Sequence, residues 1–297
     1  MKTTATLRQL MSAPGAIQAG GVGDAGQARL VEQTGYPVVY ISGAYVNHTR
    51  GFPDGTLTLS EIATRVGEVT ARVDVPVIAD ADEGFGGVLQ IARTVREFER
   101  AGAAGLHMED FATKKHGVPM PVGTMVRHLQ VALATRRDPD FLIIARTDAM
   151  APWRDHIQTS RPACERDAFE RCLAYCEAGA DAVMPIFASN AWIREFGPQL
   201  PKPLVVLGGM PKGWIGQESS SVVPEMTATE LSAYNVKLVI YATNMLSRTH
   251  RFMAQQYAAW LAAGKFDENL QDERDRLDAH KMVGLLEKQA LLDRFGD

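Results

Sequence analysis

A (β/α)8 barrel is the fold class this sequence predicts, and three observations carry the prediction. Short apolar, β-rich runs recur about eight times with amphipathic helical stretches between them. Alternation of this kind argues for a parallel sheet, whose strands need crossover helices. Two units, "REFERAGAAGLHMED" and "LAYCEAGADAVMPIF", end their helix on Ala-Gly just before the next strand, the usual chemistry of a helix C-terminus. Polar residues then stand at the C-terminal end of strand after strand: Ser42, Asp80, Asp82, Glu109, Arg146 and Asp148. In a closed barrel those ends converge on one mouth. That convergence favours the barrel over its rival, a doubly wound open sheet.

In chain order the strand runs are "GAIQAGG" (15–21), "PVVYISG" (37–43), "VPVIADAD" (75–82) and "AGLHMED" (104–110). "FLIIARTDA" (141–149), "ADAVMPIF" (180–187), "PLVVLGG" (203–209) and "VKLVIYAT" (236–243) complete the set. Each is a brief β-rich run, bounded by turn residues or by a helical pattern such as 59–73 or 125–137. From Asn244 onward the chain is mostly helical and longer than one crossover requires. Its last part, 277–297, is amphipathic, with Met282, Val283, Leu285, Leu286 and Leu291 on or near one face. Such a segment either packs on its own barrel or is exchanged with a neighbouring subunit. The expected organisation is a catalytic barrel over 1–250 and a helical arm over 251–297 that lies on a neighbour.

Bulk composition excludes several classes. The 297 residues are 46% apolar and 22% charged, an ordinary soluble mix. A net charge of −4 gives no reason to expect nucleic acid or an anionic membrane as partner. No apolar run approaches the roughly 20 residues of a membrane span, and "MKTTATLRQLMSAPG" lacks the long apolar core of a secretory signal. Cys172 and Cys176 are four apart and share a face if helical. They can form a metal or redox pair; two small packed thiols are the plainer reading. An odd count of three, with Cys164, and no disulfide framework fits the reducing cytoplasm.

"VPVIADADEGFGG" poses the central chemical question. It reads as a strand buried on both faces, yet it delivers Asp80 and Asp82 into a run of glycines. Each buried ion costs several kcal/mol unless something compensates. Glu109 ends the next strand. Hard oxygen ligands without cysteine or clustered histidine suit Mg2+, with Mn2+ able to substitute, rather than zinc. The competing reading has these acids capping helices or pairing with Arg93 or Arg146. Arg146 itself, at the end of a buried strand, either neutralises the acids or clamps a substrate carboxylate bidentately. "YISGAY" offers Ser42 and the amides around Gly43 as an oxyanion cradle, or else an ordinary glycine turn.

"VIADADEGFGG", "ARTVREFERAGAAGLHMED", "KKHG" and "DPDFLIIARTDA", in that order, resemble the isocitrate lyase and phosphoenolpyruvate mutase superfamily. The methylisocitrate lyase and dimethylmalate lyase branch is the most similar, over about 15–251. The resemblance implies a (β/α)8 barrel whose last helix is swapped between subunits, in a tetramer built as a dimer of such dimers. It implies Mg2+ held by Asp80, Asp82 and Glu109, with Asp80 the direct ligand, and an enolate of a 2-oxo acid stabilised there. By the same resemblance Ser42, Gly43 and Ala44 hold the substrate carboxylate and Arg146 stabilises developing charge. Tyr40 and Asp54 line the pocket, and the base that removes the hydroxyl proton is either Tyr40 or a metal-bound water.

Part of the pattern is missing. Family lyases carry Lys-Lys/Arg-Cys-Gly-His on a loop, with cysteine as the acid, whereas this chain has Lys114, Lys115, His116, Gly117 and Val118. An imidazole titrates near neutrality and can deliver a proton as a thiol does. His116 is therefore read as acid or base, with Lys115 and Gly117 beside it; a solvent-exposed bystander is the alternative. His107 reads as a packed histidine. The polar residues that grip a departing dicarboxylate fall here on Ile186, Leu207 and Gly209, and a serine position falls near Asn244. An apolar pocket cannot desolvate a carboxylate cheaply. The leaving half is then expected not to be a dicarboxylate, in a pocket shaped by Ile186, Phe187, Leu207, Met210 and Trp214.

The function expected from the sequence is a Mg2+-dependent carbon–carbon lyase. It cleaves a 2-hydroxy acid to a 2-oxo acid such as pyruvate or glyoxylate. Two alternatives stay open: a 2-oxo acid decarboxylase or hydrolase of the same superfamily, and a barrel that binds a 2-oxo acid without turning it over.

Overall fold

The computed structural model describes residues 2–111, 118–151, 160–209, 226–265 and 273–296. Lys115, His116, Gly117, Met210 and Trp214 lie outside the described residues. Eight strands form a closed, all-parallel barrel in sequence order, with the last returning to the first. They are β1 (Ile17–Val22), β2 (Val38–Ile41), β3 (Val77–Asp80), β4 (Gly105–Glu109), β5 (Leu142–Thr147), β6 (Ala182–Pro185), β7 (Leu204–Leu207) and β8 (Val236–Tyr241). Each run expected from the sequence coincides with one strand, β1 alone passing the end of its run by one residue, Val22. β2 to β6 are buried at every position, which explains why they read as continuous apolar runs rather than alternating ones.

The helices are α1 (Thr3–Ser12), α2 (Ala25–Gln33), α3 (Gly43–Thr49), α4 (Leu59–Thr70), α5 (Val88–Arg100) and α6 (Val122–Thr135). After them come α7 (Arg161–Glu177), α8 (Asn190–Phe196), α9 (Ala228–Ser232), α10 (Asn244–Ala263), α11 (Glu273–Met282) and α12 (Leu285–Phe295). α4 begins at a reciprocal capping box between Thr58 and Glu61 and buries Ile62, Val66 and Val69. That spacing of four and three is the stripe a helix presents to a sheet. α5 buries Ile91, Val95 and Phe98, and α6 buries Met125, Leu129 and Ala132, on the same pattern. The three cysteines lie buried along α7, and burial pushes the Cys172 thiol well above its ordinary range. Inert packed thiols are what such an environment makes.

Of the two ends of the chain, the sequence reading covers the helical C-terminal part but not α1. α1 closes the floor of the barrel: Leu7 is fully buried, and Arg8 Nη1 donates to Asp181 Oδ1 at 2.8 Å. Asp181, just before β6, also accepts from Arg136 Nη1 at 2.6 Å and from the Ile143 N–H at 2.9 Å. At the other end, α10 buries only Leu246 among its residues and leaves Met253, Tyr257 and Leu261 exposed. α11 returns to the same chain, where the Met282 carbonyl accepts from Arg29 Nε of α2 at 2.6 Å. Among the described residues no helix is long and apolar enough to cross a membrane.

Asp181 joins α1, α6 and β5 through charge-assisted bonds in a half-shielded setting. Replacing it with alanine removes the one carboxylate that both arginines share and the acceptor of the Ile143 N–H. Asp181→Ala is expected to lower stability by about 2 kcal/mol, read as a reduced urea midpoint at unchanged slope.

Candidate active site at the barrel mouth

Strand register brings the polar residues together. Asp80 of β3 lies opposite His107 of β4, and Glu109 of β4 lies opposite Arg146 of β5. β3 stops at Asp80, two residues earlier than its apolar run suggests, because Asp82 takes a left-handed conformation with φ of 44°. Aspartate tolerates that region better than most side chains. The turn keeps Asp82 at the mouth: its N–H donates to Asp80 Oδ1 at 3.0 Å, and its carbonyl accepts from the Glu109 N–H at 2.8 Å. Asp80, Asp82 and Glu109 are all buried, and a ligand oxygen from each lies within 4.8 Å of the others.

The expected cradle after β2 is a helix start rather than a plain glycine turn. Ser42 caps α3, its Oγ accepting from the Tyr45 N–H at 3.4 Å, which leaves its own proton to donate. The Gly43 N–H points at Asp80 Oδ2 at 3.2 Å. A Cβ at Gly43 would stand 3.0 Å from Asp80 Oδ2 and 3.4 Å from Asp82 Oδ1. Glycine therefore keeps the space in front of both carboxylates open. Ala44 is half-buried on α3, and Asp54 is exposed between α3 and α4.

Tyr40 and His107 stack inside the barrel, and the Tyr40 hydroxyl meets His107 Nε2 at 2.7 Å. The same Nε2 lies 3.6 Å from Asp80 Oδ1. His107 is thus more than packing: it links a phenol to the first acid of the cluster. Arg146 is held by two carboxylates. Nε and Nη2 each donate to Asp148 at 2.8 Å, and Nη1 lies 2.9 Å from Glu109 Oε2. Burial by itself disfavours this cation, but Asp148, Glu109 and Asp80 hold its pKa well above the ordinary arginine value. Arg146 pairs with Glu109, itself one of the three acids, so the competing reading holds for that member of the cluster, while Asp148 takes the other edge of the guanidinium.

Sequence reading missed a second layer. Asp110, Arg171 and Tyr175 are all buried directly behind Glu109 and Asp148. Burial and then the Asp148 charge push the Asp110 carboxyl up, against the bonds it accepts. The one available signal was Asp110 itself, an extra acid inside an apolar strand run. The far side of the mouth is different in kind. Ile186, just past β6, is buried; Leu207 ends β7 half-buried; and the Asn244 side-chain amide, at the start of α10, donates to the Gly209 carbonyl.

The residues present fit a metal ion. Among the described residues, five buried carboxylates face two buried guanidiniums, Asp80, Asp82, Glu109, Asp110 and Asp148 against Arg146 and Arg171. A divalent cation offsets that excess, and the all-oxygen donor set suits a hard one.

Fold and site together define a (β/α)8 barrel with a buried acidic cluster at its mouth that can hold a metal ion. The chain belongs to the phosphoenolpyruvate phosphomutase family, whose model matches residues 7–261. It is similar to 2-methylisocitrate lyase of Bacillus subtilis (strain 168), 31% identical over 96% of this chain and 90% of that protein. It is 39% identical to 2,3-dimethylmalate lyase of Eubacterium barkeri over 62% of this chain and 63% of that one. Among solved structures, a phosphoenolpyruvate phosphomutase from Streptomyces platensis subsp. rosaceus superposes with a TM-score of 0.83 at 28% identity, covering 99% of both chains. Family and relatives support a carbon–carbon lyase as the enzyme class.

The open space at Gly43 gives a direct test. Gly43→Ala is expected to weaken Mn2+ binding about tenfold in a calorimetric titration. Unchanged affinity would show that the cleared space plays no part in binding the ion.

Proposed function

We propose that the protein is a Mg2+-dependent lyase that cleaves a 2-hydroxy acid to a 2-oxo acid of the pyruvate or glyoxylate kind. The observation that carries this reading is the trio Asp80, Asp82 and Glu109, within 4.8 Å of one another and buried at the barrel mouth. These three residues would hold the ion. When bound, Mg2+ supplies positive charge to the hydroxyl and carboxylate oxygens of the substrate and makes the hydroxyl more acidic. Ser42, Gly43 and Ala44 orient the carboxylate, and Asp54 lines the approach. Tyr40 receives the hydroxyl proton and passes its own to His107 Nε2 across their 2.7 Å contact. As the C2–C3 bond breaks, its electron pair leaves on C3, and Arg146 stabilises the developing charge. His116, with Lys115 and Gly117 beside it, returns a proton to C3.

The leaving half is set by what Ile186, Phe187 and Leu207 present, with Asn244 the polar residue on that side. Apolar side chains do not compensate a second buried carboxylate, which supports a leaving group with one carboxylate rather than two. Cleaving 2,3-dimethylmalate between C2 and C3 gives pyruvate and propionate, a leaving group of that kind. Cleaving 2-methylisocitrate gives pyruvate and succinate, which is not.

The exposed face of α10 supports an oligomer. Met253, Tyr257 and Leu261 recur every four residues, which places them in one line on the helix. We assign this helix and the arm behind it to contact with a second copy, as a dimer that pairs again into a tetramer. Tyr257→Glu with Leu261→Glu is expected to shift the protein toward monomer in light scattering. Retention of the native mass would remove α10 from the interface.

Substrate assays decide the chemistry. With Mg2+ present, pyruvate is expected from 2,3-dimethylmalate, and chelation of the metal abolishes it. Asp80→Ala is expected to cost more than the roughly 10–100-fold typical of losing an outer-shell partner. Efficient turnover of 2-methylisocitrate or isocitrate would refute the single-carboxylate leaving group. Consumption of oxaloacetate with no cleavage of any hydroxy acid would put a decarboxylase or hydrolase in the lyase's place.

A further inference from the structure

We propose that Asp110, Arg171 and Tyr175 form a positioning unit that sets the orientation of Arg146 from helix α7. The inference rests on the reading of Arg146 as the residue that stabilises charge at the mouth. Asp110 follows Glu109 directly and is fully buried. Its Oδ1 accepts from the Asp148 N–H at 2.8 Å. Its Oδ2 accepts from the Tyr175 hydroxyl at 2.6 Å and from Arg171 Nη1 at 3.2 Å. Asp148 in turn grips Arg146 through two parallel bonds of 2.8 Å.

A planar two-bond pair transmits angle as well as position. The peptide carrying Asp148 is fixed by Asp110, the Asp148 carboxylate fixes the plane of the guanidinium, and Nη1 is thereby aimed at Glu109. Arg171 is anchored from outside by Asp167, whose two oxygens each lie 3.0 Å from Nε. The same guanidinium holds the chain on both sides of the segment between β4 and α6, at the Asp110 side chain and at the Met120 backbone. Arg171 Nη1 donates to the Met120 carbonyl at 2.8 Å, the Met120 N–H donates to the Asp110 carbonyl at 2.6 Å, and Phe111 pairs with Pro119. One buried acid therefore joins the anchor of Arg146 to the stems of that segment. A packing role alone does not require two buried charges and a phenol at this place, since apolar residues of similar volume are often as stable. Misplacement of a reacting group by about 1 Å can cost on the order of 100-fold in rate, and that gives orientation its value.

The test uses the full chain labelled with 15N-arginine, with Arg146→Lys assigning the Arg146 Nε–H resonance. Tyr175→Phe keeps the ring and removes one donor; Arg171→Lys keeps the charge and removes the fork. In each, exchange of the Arg146 Nε–H with solvent is expected to accelerate about tenfold or more. Affinity for oxalate, measured with Mg2+ present, is expected to fall about tenfold. Affinity for Mg2+ alone stays within about twofold of the parent. A lower melting temperature with unchanged Nε–H exchange and unchanged oxalate affinity, in whichever variant folds, would make the network purely structural and overturn the proposal. A fall in oxalate affinity without faster exchange would overturn it as well. Should the parent protein fail to bind Mg2+, the proposed function falls, and the exchange comparison still decides this inference.

Discussion

Buried negative charge is the constraint on which the rest of the mouth depends. Five carboxylates from β3, β4, β5 and the residues just past them are buried together. At such separations like charges repel strongly in a medium less polar than water. Two guanidiniums only partly answer them. The local backbone bends to this requirement: Asp82 turns left-handed, Gly43 gives up a side chain, and the Gly43 and Asp82 N–H groups both aim at Asp80. Each adjustment places partial positive charge near an acid or clears space before one. None of them improves packing in its own right, so they make sense together as parts of a cation pocket.

The mouth is divided in two. From β2 to β5 it offers carboxylates, a guanidinium, a phenol and a helix start. Among the described residues, from β6 to β8 it offers Ile186, Phe187 and Leu207, with Asn244 turned toward a backbone carbonyl. Phe187 is held at a φ of 63°, a conformation that costs a bulky residue of order 1–3 kcal/mol. Strain of that size persists only where surrounding contacts fix it, and here it falls directly after a barrel strand, where binding residues concentrate. A substrate with one strongly polar end and one plainer end is oriented by such a pocket without needing specific contacts along its whole length.

The barrel and the three acids were legible because both signals are local. A strand buried on both faces reads as a short apolar run, and an acid at the end of such a run stands out. Asp80, Asp82, Glu109 and Arg146 therefore stand out by their place at strand ends. Arg171 and Tyr175 were not, because "ERDAFERCLAYCE" looks like an ordinary half-charged helix, and nothing in it says that Arg171 faces inward. Only the closed barrel brings that side chain behind β4. His107 was read as packing for a similar reason: a histidine within an apolar run carries no mark of the Tyr40 hydroxyl across the barrel. Strand lengths were overestimated at β3 because the left-handed turn at Asp82 has no apolar signature.

The two ends of the barrel handle charge in opposite ways, and the contrast separates stability from function. At the floor, Asp181 is met by Arg8, Arg136 and a backbone N–H, so its charge is matched and removing it leaves only losses. At the mouth, carboxylates outnumber cations, and the folded chain holds an excess that packing alone would not favour. Natural sequences tolerate such local conflict at functional sites and compensate for it elsewhere in the fold. The matched cluster at the floor and the buried strands are where this chain gains the stability that its mouth gives up. The charge excess at the mouth is thus of the kind that a hard cation offsets, and it is not a device of packing.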